Sequence, residues 1–369
     1  MATGVLALLG SGETAPGMTK IHREIFARVQ PSTLVSLDTA YGFQGNVPQM
    51  TEKLVDYFAT SLHVAVESVH FDSFERASEV DRAIFRQRVR EADYVFAGPG
   101  SPSYALTQWR PLNLGDDLFS VLERGGGVCF ASAAALTLGA YTAPIYEIYK
   151  VGVAAPYWLE GLDIMSRIGL RCVVIPHFDN HEGRNYDTRF CYLGERNLTR
   201  LESQLPDDVA TLGVDEHTAL IIDLAADTLT VRGRGQAYWR RGSSVLVLPH
   251  GQVTPLSDLR TTPVAPRPFA ASEPPAHVDS DLAALARVAL TGGEDAADAV
   301  ATLVRRAAAS GDGHVDPSPY IEAIVAARSR ARSSGAYELA DDLRAALIDL
   351  DVEINDAASG TTWSRRTGA

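Results

Sequence analysis

Between residues 4 and 250, short apolar runs of four to seven residues alternate with longer amphipathic ones. Runs of that length suit strands buried in a sheet, and the segments between them repeat apolar residues at spacings of three and four, the period of a helix. Strands are predicted over residues 5–9, 33–37, 63–69, 94–97, 128–131, 172–175, 218–222 and 245–248, and helices over 50–59, 79–91 and 198–205. This rhythm predicts an α/β fold with a mostly parallel sheet and crossover helices. From Thr218 to Ala237 the runs turn tightly at Ala226-Asp227-Thr228 and Arg232-Gly233, which predicts an antiparallel hairpin edge.

Periodicity stops at residues 251–279, which hold six of the chain's 19 prolines and read as a semi-stiff linker. Beyond it Ala, Asp and Arg dominate, and 282–290, 296–309, 319–333 and 337–350 each predict a helix. The expected organisation is therefore an α/β domain over 1–250, the linker, and a small all-α module over 280–369.

Composition narrows the function classes. With 46% apolar and 21% charged residues in 369, the chain has the balance of an ordinary globular protein. Its 33 Lys+Arg against 46 Asp+Glu give a net charge of -13, which repels phosphate backbones and argues against broad nucleic-acid binding. A local, shape-specific RNA contact stays open. Three cysteines without a CxxC pair exclude a disulfide framework and a zinc ribbon, and fit a reducing, cytoplasmic setting. No apolar run reaches the ~18 residues of a membrane span, and the first apolar run lacks the basic flank of a signal peptide. No metal site and no cofactor fingerprint are expected: Gly10-Ser11-Gly12 lacks the third glycine of a phosphate loop.

The stretch with most chemistry is Gly125-Gly126-Gly127-Val128-Cys129-Phe130-Ala131-Ser132-Ala133-Ala134-Ala135-Leu136. A strand ends on a serine and small residues open a helix, the order a nucleophile elbow needs, because the turn is tight and the hydroxyl must stand above the sheet. The helix start adds an N–H and a favourable dipole for a developing oxyanion. A plain N-cap serine would look the same. Gly98-Pro99-Gly100-Ser101 follows another strand, and loops after strand C-termini line one crevice, so Gly100 could set a second N–H opposite the serine. In Ile175-Pro176-His177-Phe178-Asp179-Asn180 the histidine stands at a strand end, where a general base belongs; His181, His217 and His250 compete for the role. Asp215-Glu216 precede the strand at Thr218, and either carboxylate could orient an imidazole. Periodicity does not choose between them.

Ser132 in FASAAAL, His177 in IPHFDN and Glu216 in GVDEHTAL resemble, in order and approximate spacing, the dipeptidase E and cyanophycinase group of serine peptidases, over about residues 4–250. The resemblance implies a three-layer αβα sandwich of the class I glutamine amidotransferase-like kind. It also implies Ser132 as nucleophile, His177 as base, Glu216 as third member, and the N–H groups of Gly100 and Ala133 as oxyanion hole. Members of that group cleave peptides or isopeptides next to aspartyl residues. A small peptide or amide substrate is therefore expected, with Arg184 and Asn180 as substrate-binding candidates and a homodimer as the family's usual assembly. Ala134 departs from the group, which usually has glycine there. The glutaminase relatives carry cysteine at the elbow, whereas Cys129 lies three residues early and is expected to face the sheet as a small hydrophobe.

Asp356 followed by Gly360-Thr361-Thr362-Trp363 is similar to the DxxxGTxW-type ending of cysteinyl-tRNA synthetase, over about residues 317–367. That resemblance implies contact with tRNA(Cys), with Arg344, Asp356, Trp363 and Arg365 as candidates. No HIGH-like or KMSKS-like string is present, which excludes aminoacylation. From Asp316 onward six arginines face nine acids, so no basic stripe supports RNA binding. A catalytically silent scaffold or a tRNA(Cys)-binding accessory protein is the alternative to a hydrolase.

Overall fold

The computed structural model describes residues 2–153, 155–183, 186–242 and 244–260; beyond these it describes positions 325, 328, 344 and 347 and two strands near the C-terminus. The chain divides into two compact units. The first holds residues 1–149 and 155–272, the second residues 150–154 and 273–369.

In the first unit, β1 (Val5–Leu9), β2 (Leu34–Leu37), β3 (Glu67–Val69), β4 (Tyr94–Ala97) and β5 (Gly127–Ala131) lie parallel in the order β3-β2-β4-β5-β1. The lone hairpin β6 (Tyr141–Thr142) and β7 (Leu159–Glu160) stands outside this sheet. A second sheet pairs β8 (Cys172–Ile175) with β9 (Ala210–Val214) in parallel. The chain then returns to the first sheet, where β10 (Thr218–Asp223) and β11 (Thr228–Gly233) extend it antiparallel from β1. Next, β12 (Ala237–Arg241) and β13 (Ser244–Leu248) complete the second sheet, and β14 (Val253–Pro255) ends the first against β11.

Alternation along β1 shows why helices cover both faces of the large sheet. Val5, Ala7 and Leu9 pack with Ile21 and Ile25 of α1 (Thr19–Val29) and Leu54 of α2 (Val47–Tyr57). Leu6 and Leu8 join the opposite core with α3 (Glu79–Glu91), α4 (Pro102–Trp109) and α5 (Leu114–Glu123). The short α6 (Ala133–Leu136) and α7 (Ile164–Arg167) join the same side, and α8 (Gly194–Glu202) precedes β9.

Three expectations need correction. Of residues 63–69 only Glu67–Val69 forms a strand: the preceding helix runs on as a π-helical turn over Phe58–Leu62, capped by His63 at φ 60°. The first part of the expected linker is sheet, since Thr254 is buried and pairs with Leu229, and Leu256 and Leu259 fill the core. Finally, the second unit is not all helical. Positions 325, 328, 344 and 347 are helical, but β15 (Val352–Ala357) and β16 (Gly360–Arg365) form an antiparallel hairpin. Val352, Ile354, Thr361, Thr362 and Trp363 are β-branched or aromatic residues, the types that favour strands. The helices expected over 282–309 lie outside the described residues.

Candidate active site

β5 runs into Ser132, whose backbone sits at φ 51°, ψ -121° before α6 begins. Few non-glycine residues adopt that conformation, which costs about 1–3 kcal/mol and survives only where the surroundings impose it. Here two bonds impose it: the Ser132 N–H donates to Leu9 O at 3.0 Å, and its carbonyl accepts from Ala135. The turn is built of small residues, and Ala133, Ala134 and Ala135 are all buried. Ala134 is compatible with the turn because its φ is negative and its N–H donates to Gly98 O at 3.3 Å.

His177 follows β8 at φ 48° and is tied to the loop after β1 through its N–H on Gly10 O. Its Nε2 lies 2.9 Å from Ser132 Oγ and its Nδ1 2.6 Å from Glu216 Oε1. A carboxylate at Nδ1 selects the tautomer protonated there, which leaves Nε2 to accept the serine proton. The three residues first named from widely separated motifs thus form one hydrogen-bonded line at the C-terminal rim of the parallel strands. Glu216 joins it because β10 is antiparallel: the start of that strand lies beside the ends of the others.

The neighbouring carboxylates part company at this turn. The Glu216 pKa falls to about 2, chiefly because His177 hydrogen-bonds its carboxylate; the Asn180 amide, 3.0 Å from Oε1, adds to this against the cost of burial. Asp179 fixes the turn by accepting the Glu216 N–H at 2.7 Å. Asp215 points the other way, toward the Gln236 N–H and the Tyr238 hydroxyl, and burial raises its pKa to about 6. Asn180, expected at the substrate, is fully buried with its amide on Glu216 Oε1. Arg184 lies outside the described residues.

Gly100 has φ 142°, and a Cβ there would meet Ala40 O at 2.0 Å, so only glycine fits. Among the described residues, neither the Gly100 nor the Ala133 N–H is taken by a hydrogen bond. Cys129 is buried in the sheet beside Tyr94, and burial pushes its thiol up to about 12, which makes it an inert hydrophobe.

Two features escaped the sequence reading. Glu13, in the loop after β1, has Oε1 3.9 Å from where a Gly98 Cβ would stand. Burial raises its pKa above the ordinary carboxylate value, opposed by a backbone hydrogen bond and by His177 and His217. The second is an aromatic wall: Tyr192 lies 6.1 Å from the His177 ring and 5.0 Å from Tyr149. Phe190, Cys191 and Tyr192 are consecutive left-handed residues, a conformation no single-residue pattern announces.

In the second unit, the hairpin register pairs Asp356 with Thr361, Ile354 with Trp363 and Val352 with Arg365. Trp363 is half-buried and Arg344 is exposed. Among the described residues no group of acids, histidines or cysteines could hold a metal ion, and no helix is long and apolar enough to cross a membrane.

No family model matches the chain. Among solved structures it is similar to a peptidase from an acI-B1 Actinobacterium, at 21% identity and TM-score 0.56, over 69% of this chain and 97% of that one. A putative peptidase E protein from Listeria monocytogenes EGD-e aligns over 67% of this chain and 99% of its own, at 12% identity and TM-score 0.41. A cysteine–tRNA ligase of Shewanella baltica shares 41% identity over 56 residues, 15% of this chain and 12% of the ligase, so the match spans a small part of that protein. What the chain shares with the actinobacterial peptidase is the fold, a mixed α/β unit on a large, mostly parallel sheet.

Proposed function

We propose that the first unit is a serine hydrolase that cleaves a small peptide, isopeptide or related amide. The observation that carries this reading is the unbroken line Ser132 Oγ, His177 Nε2 and Nδ1, Glu216 Oε1, at 2.9 and 2.6 Å. In this mechanism Ser132 Oγ bonds to the substrate carbonyl carbon while His177 Nε2 takes the hydroxyl proton. The carbonyl oxygen becomes an oxyanion held by the Gly100 and Ala133 N–H groups. His177 then hands the proton to the leaving amine as the C–N bond breaks, leaving an acyl ester on Ser132. Water, deprotonated by the same imidazole, releases the acid. Glu216 stays ionised throughout and stabilises the imidazolium. The peptidases among the structural neighbours, and the resemblance to dipeptidase E and cyanophycinase, support amide chemistry over other acyl transfers.

A fluorophosphonate probe tests this directly. Labelling of the wild-type protein and its loss in Ser132→Ala is the expected result; folded wild-type protein that resists the probe would favour a silent scaffold.

A second reading concerns the second unit and rests on the 41% identity of 56 residues to a tRNA ligase. On that reading the hairpin carrying Trp363 contacts tRNA(Cys) by stacking on a base. Comparing tRNA(Cys) affinity of the whole chain, Trp363→Ala and a truncation before Pro317 tests it, and equal affinity in all three would end it.

A further inference from the structure

A hollow lies apart from the Ser132–His177–Glu216 line, none of whose three residues lines it. Its volume is about 470 Å³, and it opens between the start of α1, the turn before β10, the end of β11 and His250. Gly12 packs on one of the lining imidazoles: a Cβ there would strike the His217 ring at 2.2 Å, so the loop after β1 lies directly on it. The lining is strongly cationic. It contains Lys20, Arg232 and Arg234 with the imidazoles of His217 and His250, against the single carboxylate of Glu24.

That carboxylate is already spent. One Glu24 oxygen accepts from Arg28 at 2.9 Å and the other from Arg232 at 2.9 Å. Among the described residues, Lys20 and Arg234 enter no ion pair, and neither imidazole makes a side-chain hydrogen bond. Three formal positive charges therefore meet one negative charge in a concave space, within a chain whose net charge is -13. In such a hollow the low-dielectric walls concentrate the local potential, so an anion is attracted there although the molecule as a whole repels it. The first turn of α1 adds to the same sign, since it holds no acidic residue and starts beside Lys20. Guanidinium forks and an ammonium around a shared cavity match the several oxygens of one oxyanion group better than a neutral polar ligand.

We infer that this hollow is a binding site for a small molecule bearing a phosphate or a cluster of carboxylates. Arg232, held in place by Glu24, forms the fixed part of the site. Lys20 and Arg234 supply the charge that the ligand neutralises. The site is separate from the serine chemistry and stands whether or not Ser132 is a nucleophile. Because His217 adjoins Glu216 in sequence, an occupant would rest against the turn that carries the acidic member of the line.

The test is thermal unfolding and calorimetric titration of the full chain with three probes: inorganic phosphate, tricarballylate, and sodium chloride at matched ionic strength. Phosphate or tricarballylate is expected to raise the unfolding midpoint by a few degrees in a saturable way. The double variant Lys20→Ala/Arg234→Ala is expected to weaken binding at least tenfold, and Ser132→Ala to leave it unchanged. Binding of phosphate alone assigns a phosphate ligand, and binding of tricarballylate alone a polycarboxylate. Equal shifts with chloride, or full affinity in a folded double variant, would overturn the site. An unchanged far-ultraviolet circular dichroism spectrum and a cooperative unfolding transition of the double variant show that its fold is intact.

Discussion

The turn from Asp215 to His217 has two faces, and they put adjacent carboxyl groups to opposite uses. On one face Glu216 meets an imidazole and an amide, is held ionised, and ends a line that begins at a serine hydroxyl. On the other, Asp215 is buried with Oδ2 near the Gln236 N–H and Oδ1 without a partner among the described residues, so its proton is retained more readily. Partners decide the outcome: both groups lose water, but only Glu216 gains hydrogen bonds strong enough to outweigh that loss.

The contrast is broken most severely at Ser132. Ser132→Ala should lower amide turnover by at least a thousandfold with an unchanged unfolding midpoint, since the methyl group keeps the strained turn in place. Retained turnover would show that the Glu216 face works for something else. Next comes a paired test of the two acids. Glu216→Gln should cost about 10² to 10⁴ in turnover by removing the ion that stabilises the imidazolium, whereas Asp215→Asn should change turnover less than about threefold. Comparable losses in both would erase the distinction between the faces.

Unfolding followed against pH gives a smaller effect whose sign separates the acids. Asp215 has a folded-state pKa of about 6 against an ordinary 3.8. Its contribution to stability is therefore complete below 3.8 and lost as pH rises through 6. Glu216, lowered from 4.5 to about 2, contributes above 4.5 and loses that contribution as pH falls toward 2. The wild-type midpoint should rise by a few degrees between pH 7 and pH 5 through Asp215, and Asp215→Asn should flatten the rise. The smallest change is expected from Glu13→Gln. Burial raises the Glu13 pKa, so its ionised form costs stability at pH 7 and not at pH 4. The variant should melt about one or two degrees higher at pH 7 and with the wild type at pH 4.

How much of this the chain announces depends on what fixes each part. β1, β4 and β8 have the bounds expected from their apolar runs, because both faces of each strand are buried and the pattern ends where burial ends. β9 escaped notice because it contains Gly213, a poor strand former. That glycine is there to admit the Phe178 ring, which lies 2.4 Å from where its Cβ would be, and such a packing reason has no period. The serine, histidine and acid could be named from local strings, but only the resemblance chose Glu216 over Asp215. Physically, the choice is made by Asp179, 37 residues away, which holds the Glu216 N–H and so turns its side chain toward His177. The Asn180 amide bond to Glu216 was illegible for the same reason: its partner lies in a turn 36 residues away. The C-terminal hairpin was hidden inside an Ala-rich context whose composition favours helix.

The antiparallel return of β10 beside β1 has a consequence for synthesis. Residues 5–9 emerge first and wait for residues 219–223, so one of the longest loops in the unit closes around the pairing that brings the acid into line. Closing so distant a contact is slow relative to local structure. A nascent chain can therefore form the Ser132 turn long before the His177 imidazole has its carboxylate, and the hydrogen-bonded line is complete only when nearly all of the unit has left the ribosome.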